Sequence, residues 1–155
     1  MKLYKITINL CLGNSAQNSS ILTNCINYLK LITGQFPVVI YSKKSIANFK
    51  LKKNTPISLK VTLRNKLMYV FYNKIKLILI YQKNLINPGI KGSLDTFGNY
   101  NIGIKSLNIF SELYQIKGDW EKYGLDINII LKNYSYKTIK TYFIEEGILF
   151  NNNKR

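Results

Sequence analysis

Histidine is absent from this 155-residue chain, cysteine occurs twice, proline three times, and no Asp or Glu appears before residue 95. Each shortage excludes a class of chemistry. Without His the commonest general base and metal ligand is missing, and no Ser–His or Cys–His nucleophile can be assembled. Cys11 and Cys25 alone build neither a disulfide framework nor a Cys/His zinc site. Both are expected to be reduced, buried and packed as small hydrophobes. The apolar runs are short, none longer than the six residues Leu67–Tyr72, and Leu77–Tyr81 is flanked by Lys76 and Gln82, whereas a membrane span needs ~20 mostly apolar residues. Met1–Leu12 alternates polar and apolar residues instead of carrying the apolar block of a signal peptide, so export is not expected. The acids offer no substitute for the missing bases. Asp119 and Glu121 flank Trp120 in an expected loop, Glu145 and Glu146 point apart on an expected helix, and Gly13-Asn14-Ser15 lacks the following Lys of a phosphate cradle. No catalytic residue, metal site, cofactor or small-molecule substrate is expected.

What the chain does have is positive charge, unevenly placed. Residues 1–94 hold fifteen Lys and Arg and no acid; residues 95–155 hold eight against Asp95, Glu112, Asp119, Glu121, Asp126, Glu145 and Glu146. A single-sign field repels itself and weakens the compact state, so surfaces normally mix signs. Charge this one-sided calls for a polyanion, and nucleic acid is the first candidate. At 46% hydrophobic residues the chain is too apolar for a disordered basic tail. One folded domain over residues 1–150 with a polar tail at 151–155 is expected. All but two of the 23 basic residues are Lys, beside abundant Ile, Asn and Tyr. These residues have AT-rich codons and suggest an AT-rich genome such as that of an organelle.

Hydrophobic periodicity lays out the elements. Leu3–Leu12 reads as a strand with Lys5, Thr7 and Asn9 on its polar face. A helix is predicted from about Gln17 to Thr33, with Asn18, Ser19 or Ser20 as N-cap, Gly34 as C-cap, and Ile21, Leu22, Cys25, Ile26, Leu29 and Ile32 as its apolar stripe. Phe36–Tyr41 and Pro56–Arg64 are strands, separated by a long exposed loop, Ser42–Thr55. Asn65–Gln82 is a helix with Leu67, Val70, Phe71, Ile75 and Ile78 at core spacing. Lys83–Gly98 looks irregular because of Pro88 and three glycines. Asn99–Ile104 and Gly124–Leu131 complete five strands, Lys105–Phe110 is ambiguous, and Tyr136–Glu146 is a last helix ended by Gly147. The fold class is α+β: a single open, mostly antiparallel sheet with helices packed on one face.

On such a sheet the uncovered face carries the polar residues. Lys60, Thr62 and Arg64 share a face by the two-residue period, as do Lys5, Thr7 and Asn9. They offer charge for phosphates and neutral groups for sugars and base edges; the bland alternative is an ordinary solvated face. The Ser42–Thr55 loop adds Lys43, Lys44, Lys50, Lys52 and Lys53 around Phe49. Phe49 either enters the core or presents a stacking ring.

The order KITINLCLG, LITGQFPVV, KKSIANFKLKK, PISLKVTLR, FGNYNIGI and GLDINIIL, running from about Leu3 to Phe150, resembles the bacterial-type large-subunit ribosomal protein five family, the binders of 5S ribosomal RNA. The resemblance implies an open sheet docked on 5S rRNA through positions that here are Asn9, Gln35, Thr62 and Arg64. It implies that the basic loop at Ala47–Lys53 reaches P-site tRNA and a protein of the small-subunit head. Departures accompany it. Family members carry an extra N-terminal helix ahead of the point where this sequence starts. Asn48 stands for the Gly of AGFK, Lys52 and Lys53 for a following Arg. The arginine-rich RDFRG segment corresponds to the uncharged Asn84–Pro88, and Phe97 takes the Arg place of DGRGNY. Lys is a point charge, so bidentate contacts are lost where it replaces Arg.

Together these readings predict a structural, non-enzymatic constituent of the large ribosomal subunit, anchoring 5S rRNA in the central protuberance. Its expected partners are 5S and large-subunit rRNA, neighbouring central-protuberance proteins, a small-subunit head protein and P-site tRNA. A mitochondrial ribosome is the expected home, with the plastid stroma as the alternative. Two other readings stand beside it: an intersubunit bridging component that has lost specific 5S contact, and a free RNA-binding or maturation factor.

Overall fold

Ile6, Ile8 and Leu10 are fully buried while Lys5, Thr7 and Asn9 between them are half-buried, the two-residue alternation of a strand with one face in the core. The computed structural model describes residues 2–49, 51–82, 90–132 and 136–146. Its elements are β1 (Leu3–Cys11), α1 (Ser19–Thr33), β2 (Val38–Tyr41), β3 (Pro56–Leu63), α2 (Asn65–Gln82), β4 (Ile90–Leu94), β5 (Tyr100–Ile104), β6 (Leu125–Leu131) and α3 (Tyr136–Glu145). The strands form one open six-stranded sheet in the order β2-β3-β1-β6-β5-β4. Helices with such a sheet make the fold α+β.

The chain divides into two compact units. One comprises Ile8–Val61 and Ser106–Leu125. In it α1 begins after Asn18, whose side chain accepts from the Ser20 amide at 3.1 Å, satisfying one of the orphan donors of the first turn. Cys25, Tyr28, Leu29 and Ile32 form its buried face, and Phe110, Leu113 and Trp120 supply further core residues of the same unit. Full burial of a Leu or Ile side chain contributes about 1.5–3 kcal/mol. β2 pairs antiparallel with β3, Val38 opposite Lys60.

The second unit comprises Met1–Thr7, Thr62–Lys105 and Asp126–Arg155. Its core includes Phe71 and Ile75 of α2, Tyr100 and Ile102 of β5, and Ile139 and Phe143 of α3. The Tyr100 and Phe143 rings lie 4.8 Å apart, tilted by 32°.

Several expectations are corrected. Periodicity predicts five strands, and the sixth is β4, within the segment expected to be irregular; Ile90 to Leu94 pair antiparallel with Ile104 to Tyr100. Gly92 hides it from sequence patterning but is needed there, because a Cβ would stand 2.0 Å from the buried Tyr100 hydroxyl. The Ser42–Thr55 loop is a pinned arm with an antiparallel bridge between Ile46 and Leu51 and a 3₁₀ turn at Ala47–Phe49. On α2 the buried face is Met68, Phe71, Tyr72 and Ile75, while Leu67 and Val70 are exposed at 41% and 59%. Cys25 is fully buried, and burial raises its thiol pKa to about 11 against a lowering hydrogen bond with Tyr123. Cys11 is exposed, because it falls in phase with Lys5, Thr7 and Asn9 on the polar side of β1. A short 3₁₀ turn, Leu107–Ile109, occupies the ambiguous Lys105–Phe110. Gly147, the tail at 151–155 and Asn84–Pro88 lie outside the described residues.

Candidate nucleic-acid interface

In the Ile8–Val61 unit, α1 ends in a left-handed Gly34 (φ +73°) whose amide donates to the Lys30 carbonyl at 2.8 Å, the usual glycine stop. The buried Thr33 hydroxyl donates to the Leu29 carbonyl at 2.7 Å and to the Gln35 carbonyl at 3.1 Å, and accepts from the Gln35 amide at 3.2 Å. Thr33 and Gly34 therefore fix the backbone from which the half-buried Gln35 projects. Asn9 is also half-buried, its amide nitrogen donating to Cys11 Sγ at 3.2 Å. Lys60 is exposed on β3.

The 42–55 arm is held from its base. Ser42, 4% exposed, donates its hydroxyl to the Lys52 carbonyl, and the Thr55 amide donates to the Ser42 hydroxyl at 3.1 Å. Nearer the tip, the Ile46 and Leu51 amides and carbonyls exchange bonds of 2.9 and 3.1 Å. These bonds tie the two sides of the arm together while most of its described side chains stay exposed. Lys43, Lys44, Asn48, Lys52 and Lys53 are exposed, and Phe49 is 67% exposed, which resolves its two readings against the core. Lys50 lies outside the described residues.

In the other unit Thr62 is half-buried and Arg64 exposed. The Arg64 guanidinium carbon stands 5.0 Å from the centroid of the Tyr4 ring, and Lys5 Nζ 5.8 Å from it. Arg64, through hydrogen bonding first and charge second, then Lys5 and Lys132 by charge, pulls the Tyr4 phenol below its ordinary pKa. Arg64, Lys5, Lys132 and an aromatic face are thus collected beside one another, a pairing suited to phosphate and base together.

Three of the acids are occupied elsewhere. Asp95 accepts from the Phe97 and Asn99 amides at 3.0 and 2.7 Å and from the Asn99 side chain at 2.8 Å, closing the turn between β4 and β5. Glu146 pairs with Lys76, and Asp119 with Lys122. Among the described residues no ion pair neutralises Lys43, Lys44, Lys52, Lys53, Lys60 or Arg64.

Two features escaped the sequence reading. Tyr4, 47% exposed, falls outside the alternation that singled out Lys5, Thr7 and Asn9. Phe36, 62% exposed, lies 4.1 Å from Lys30 Nζ. An aromatic within a few residues of Lys, in a stretch free of acids, was the available signal for both.

Residues 1–52 match the family described as ribosomal protein L5, and residues 56–150 match the model for the C-terminus of the same ribosomal family. The chain belongs to the ribosomal protein L5 family. Large ribosomal subunit protein uL5 of Wigglesworthia glossinidia brevipalpis is 43% identical over 83% of this chain and 71% of its own length. The protein of the same name in Ehrlichia canis is 37% identical over 97% of this chain and 85% of its own, and that of Ehrlichia chaffeensis 36% over the same shares. Membership of a ribosomal-protein family makes the chain a structural component rather than an enzyme. These relatives are bacterial, so the expected organellar home gains no support from them.

Proposed function

We propose that this protein is a constituent of the large ribosomal subunit that anchors 5S rRNA. The observation that carries the reading is a set of exposed cations with no ion-pair partner among the described residues, with Arg64 at its most specific point, in a chain of the L5 family. The lysines displace counterions from phosphates, which supplies affinity without sequence information. Asn9, Gln35 and Thr62 add neutral donors and acceptors, and Arg64 adds a planar fork, which suits it to fix register on an irregular RNA. Tyr4 holds that fork over an aromatic face and limits its freedom before RNA arrives.

The 42–55 arm, with Lys43, Lys44, Asn48, Phe49, Lys50, Lys52 and Lys53, extends the same function to a second RNA surface. P-site tRNA and a small-subunit head protein are the partners the reading assigns to it, with neighbouring proteins of the central protuberance around the 5S site. The Lys-, Asn- and Ile-rich composition supports an AT-rich genome, and a mitochondrial or plastid ribosome is one home for it. Sucrose-gradient sedimentation of organelle and cytosol fractions decides that point.

Arg64→Ala weakens 5S rRNA binding by about 1–3 kcal/mol, measured by filter binding at fixed salt, with unchanged thermal stability because the side chain is exposed. Equal affinity of variant and parent removes Arg64 from the site.

A further inference from the structure

In the Ile8–Val61 unit a cavity of about 500 Å³ opens between the Gly13–Asn14 turn and the lysine arm, lined by Gly13, Asn14, Asn48, Phe49, Leu51 and Ile57. We propose that this cavity receives one unstacked nucleobase of a single-stranded RNA segment, with Phe49 as its stacking face and Asn14 and Asn48 reading its edge. The inference deepens the RNA-binding reading above and rests on it.

The chemistry of the walls selects this occupant. Leu51 and Ile57 are half-buried and apolar, and the Phe49 ring is 67% exposed, which leaves its face open to a ligand. A planar base offers such a ring a sequence-tolerant stacking partner. Asn14 and Asn48 are exposed, and among the described residues neither side-chain amide has a hydrogen-bond partner. Each carboxamide carries both a donor pair and an acceptor, the complement of a base edge. An aliphatic side chain from a protein partner would cover the same ring but leave two desolvated amides unpaired, which is costly. No carboxylate lines the cavity. Lys43, Lys44, Lys52 and Lys53 stand exposed on the same arm, where the phosphates flanking an inserted base need cations.

The cavity is also held open before binding. The Leu12 amide donates to the Ile57 carbonyl at 3.0 Å, tying the Gly13–Asn14 turn to the start of β3. On the other side, the Phe49 amide donates to the Ile46 carbonyl at 3.2 Å, and the Ser45 hydroxyl to the Leu51 carbonyl at 3.0 Å. A preformed site loses less freedom on binding than one that must be ordered.

The test is a nuclear magnetic resonance titration of the isotope-labelled full chain with the RNA hexamers rA6 and rU6, and with an abasic ribose-phosphate hexamer of equal charge. The side-chain amide signals of Asn14 and Asn48 and the Phe49 ring signals shift with a base-bearing hexamer and stay in place with the abasic one. Phe49→Ala weakens base-bearing binding on the order of 10- to 100-fold, leaves abasic binding unchanged, and is rescued by Phe49→Trp. Asn48→Ala supplies an independent variant at an exposed position. Equal shifts with the abasic hexamer, or an unchanged affinity in Phe49→Ala, overturn the proposal. Binding of 5S rRNA by the same preparations separates the two readings. Retained 5S preference without a cavity response removes only the base pocket, and a cavity response without 5S preference removes only the 5S assignment.

Discussion

Raising salt from 50 to 200 mM lowers the affinity of the purified protein for RNA on the order of 10³-fold. The expectation follows from Lys43, Lys44, Lys52, Lys53, Lys60 and Arg64, which are exposed and have no ion-pair partner among the described residues. Each that meets a phosphate releases a condensed counterion, and about six such contacts give this slope. Surface pairs with carboxylates would blunt it, because a cation already neutralised releases little. The acids of the ion pairs described, Glu146 and Asp119, serve Lys76 and Lys122 instead. Fluorescence anisotropy at four or five salt concentrations yields the slope directly. A change under about tenfold contradicts an electrostatic mechanism for this set of lysines.

Phe143→Ala produces the largest loss of stability, about 3–5 kcal/mol. The ring is fully buried, 4.8 Å from Tyr100 and 5.6 Å from Tyr142 by centroid, and truncation leaves a cavity that two neighbouring rings cannot collapse into. Against a total of about 5–15 kcal/mol for a typical domain, that is a large share. Urea denaturation shows the midpoint falling while the slope holds. RNA affinity of the folded fraction stays at the parent value, because Phe143 presents nothing to solvent. The pair of Phe143→Ala and Arg64→Ala thus separates packing from recognition: one moves the denaturation midpoint alone, the other the binding constant alone. An unchanged midpoint in Phe143→Ala contradicts the packing account.

Much of this was legible in the amino-acid order, for identifiable reasons. β1 declared itself because Ile6, Ile8 and Leu10 keep strict phase against polar neighbours, and α1 because Asn18 and Gly34 mark its ends with chemistry that few other residues supply. β4 did not, since a strand that must admit Tyr100 beside Gly92 carries a breaker where a pattern is sought. The exposed Leu67 and Val70 misled because α2 is apolar on more than its core face, and periodicity alone cannot say which apolar residues are covered. At the site, the charge asymmetry singled out the lysines, and strand parity placed Lys60, Thr62 and Arg64. The cradle around Gln35 depends on one hydroxyl, that of Thr33, bonding both Leu29 and Gln35. Such a bond has no periodic signature. The Tyr4–Arg64 pairing joins residues sixty positions apart and is a product of folding, as is the cavity beneath Phe49.

The most direct test of the central claim is a competition between 5S rRNA from the genome that encodes this chain and a length-matched scrambled RNA, at ~150 mM salt, where nonspecific attraction is already weakened. Specific anchoring predicts a preference of ~100-fold or more, about 2.7 kcal/mol, reduced by Arg64→Ala. Equal affinity for the two RNAs contradicts it and leaves only a general polyanion surface.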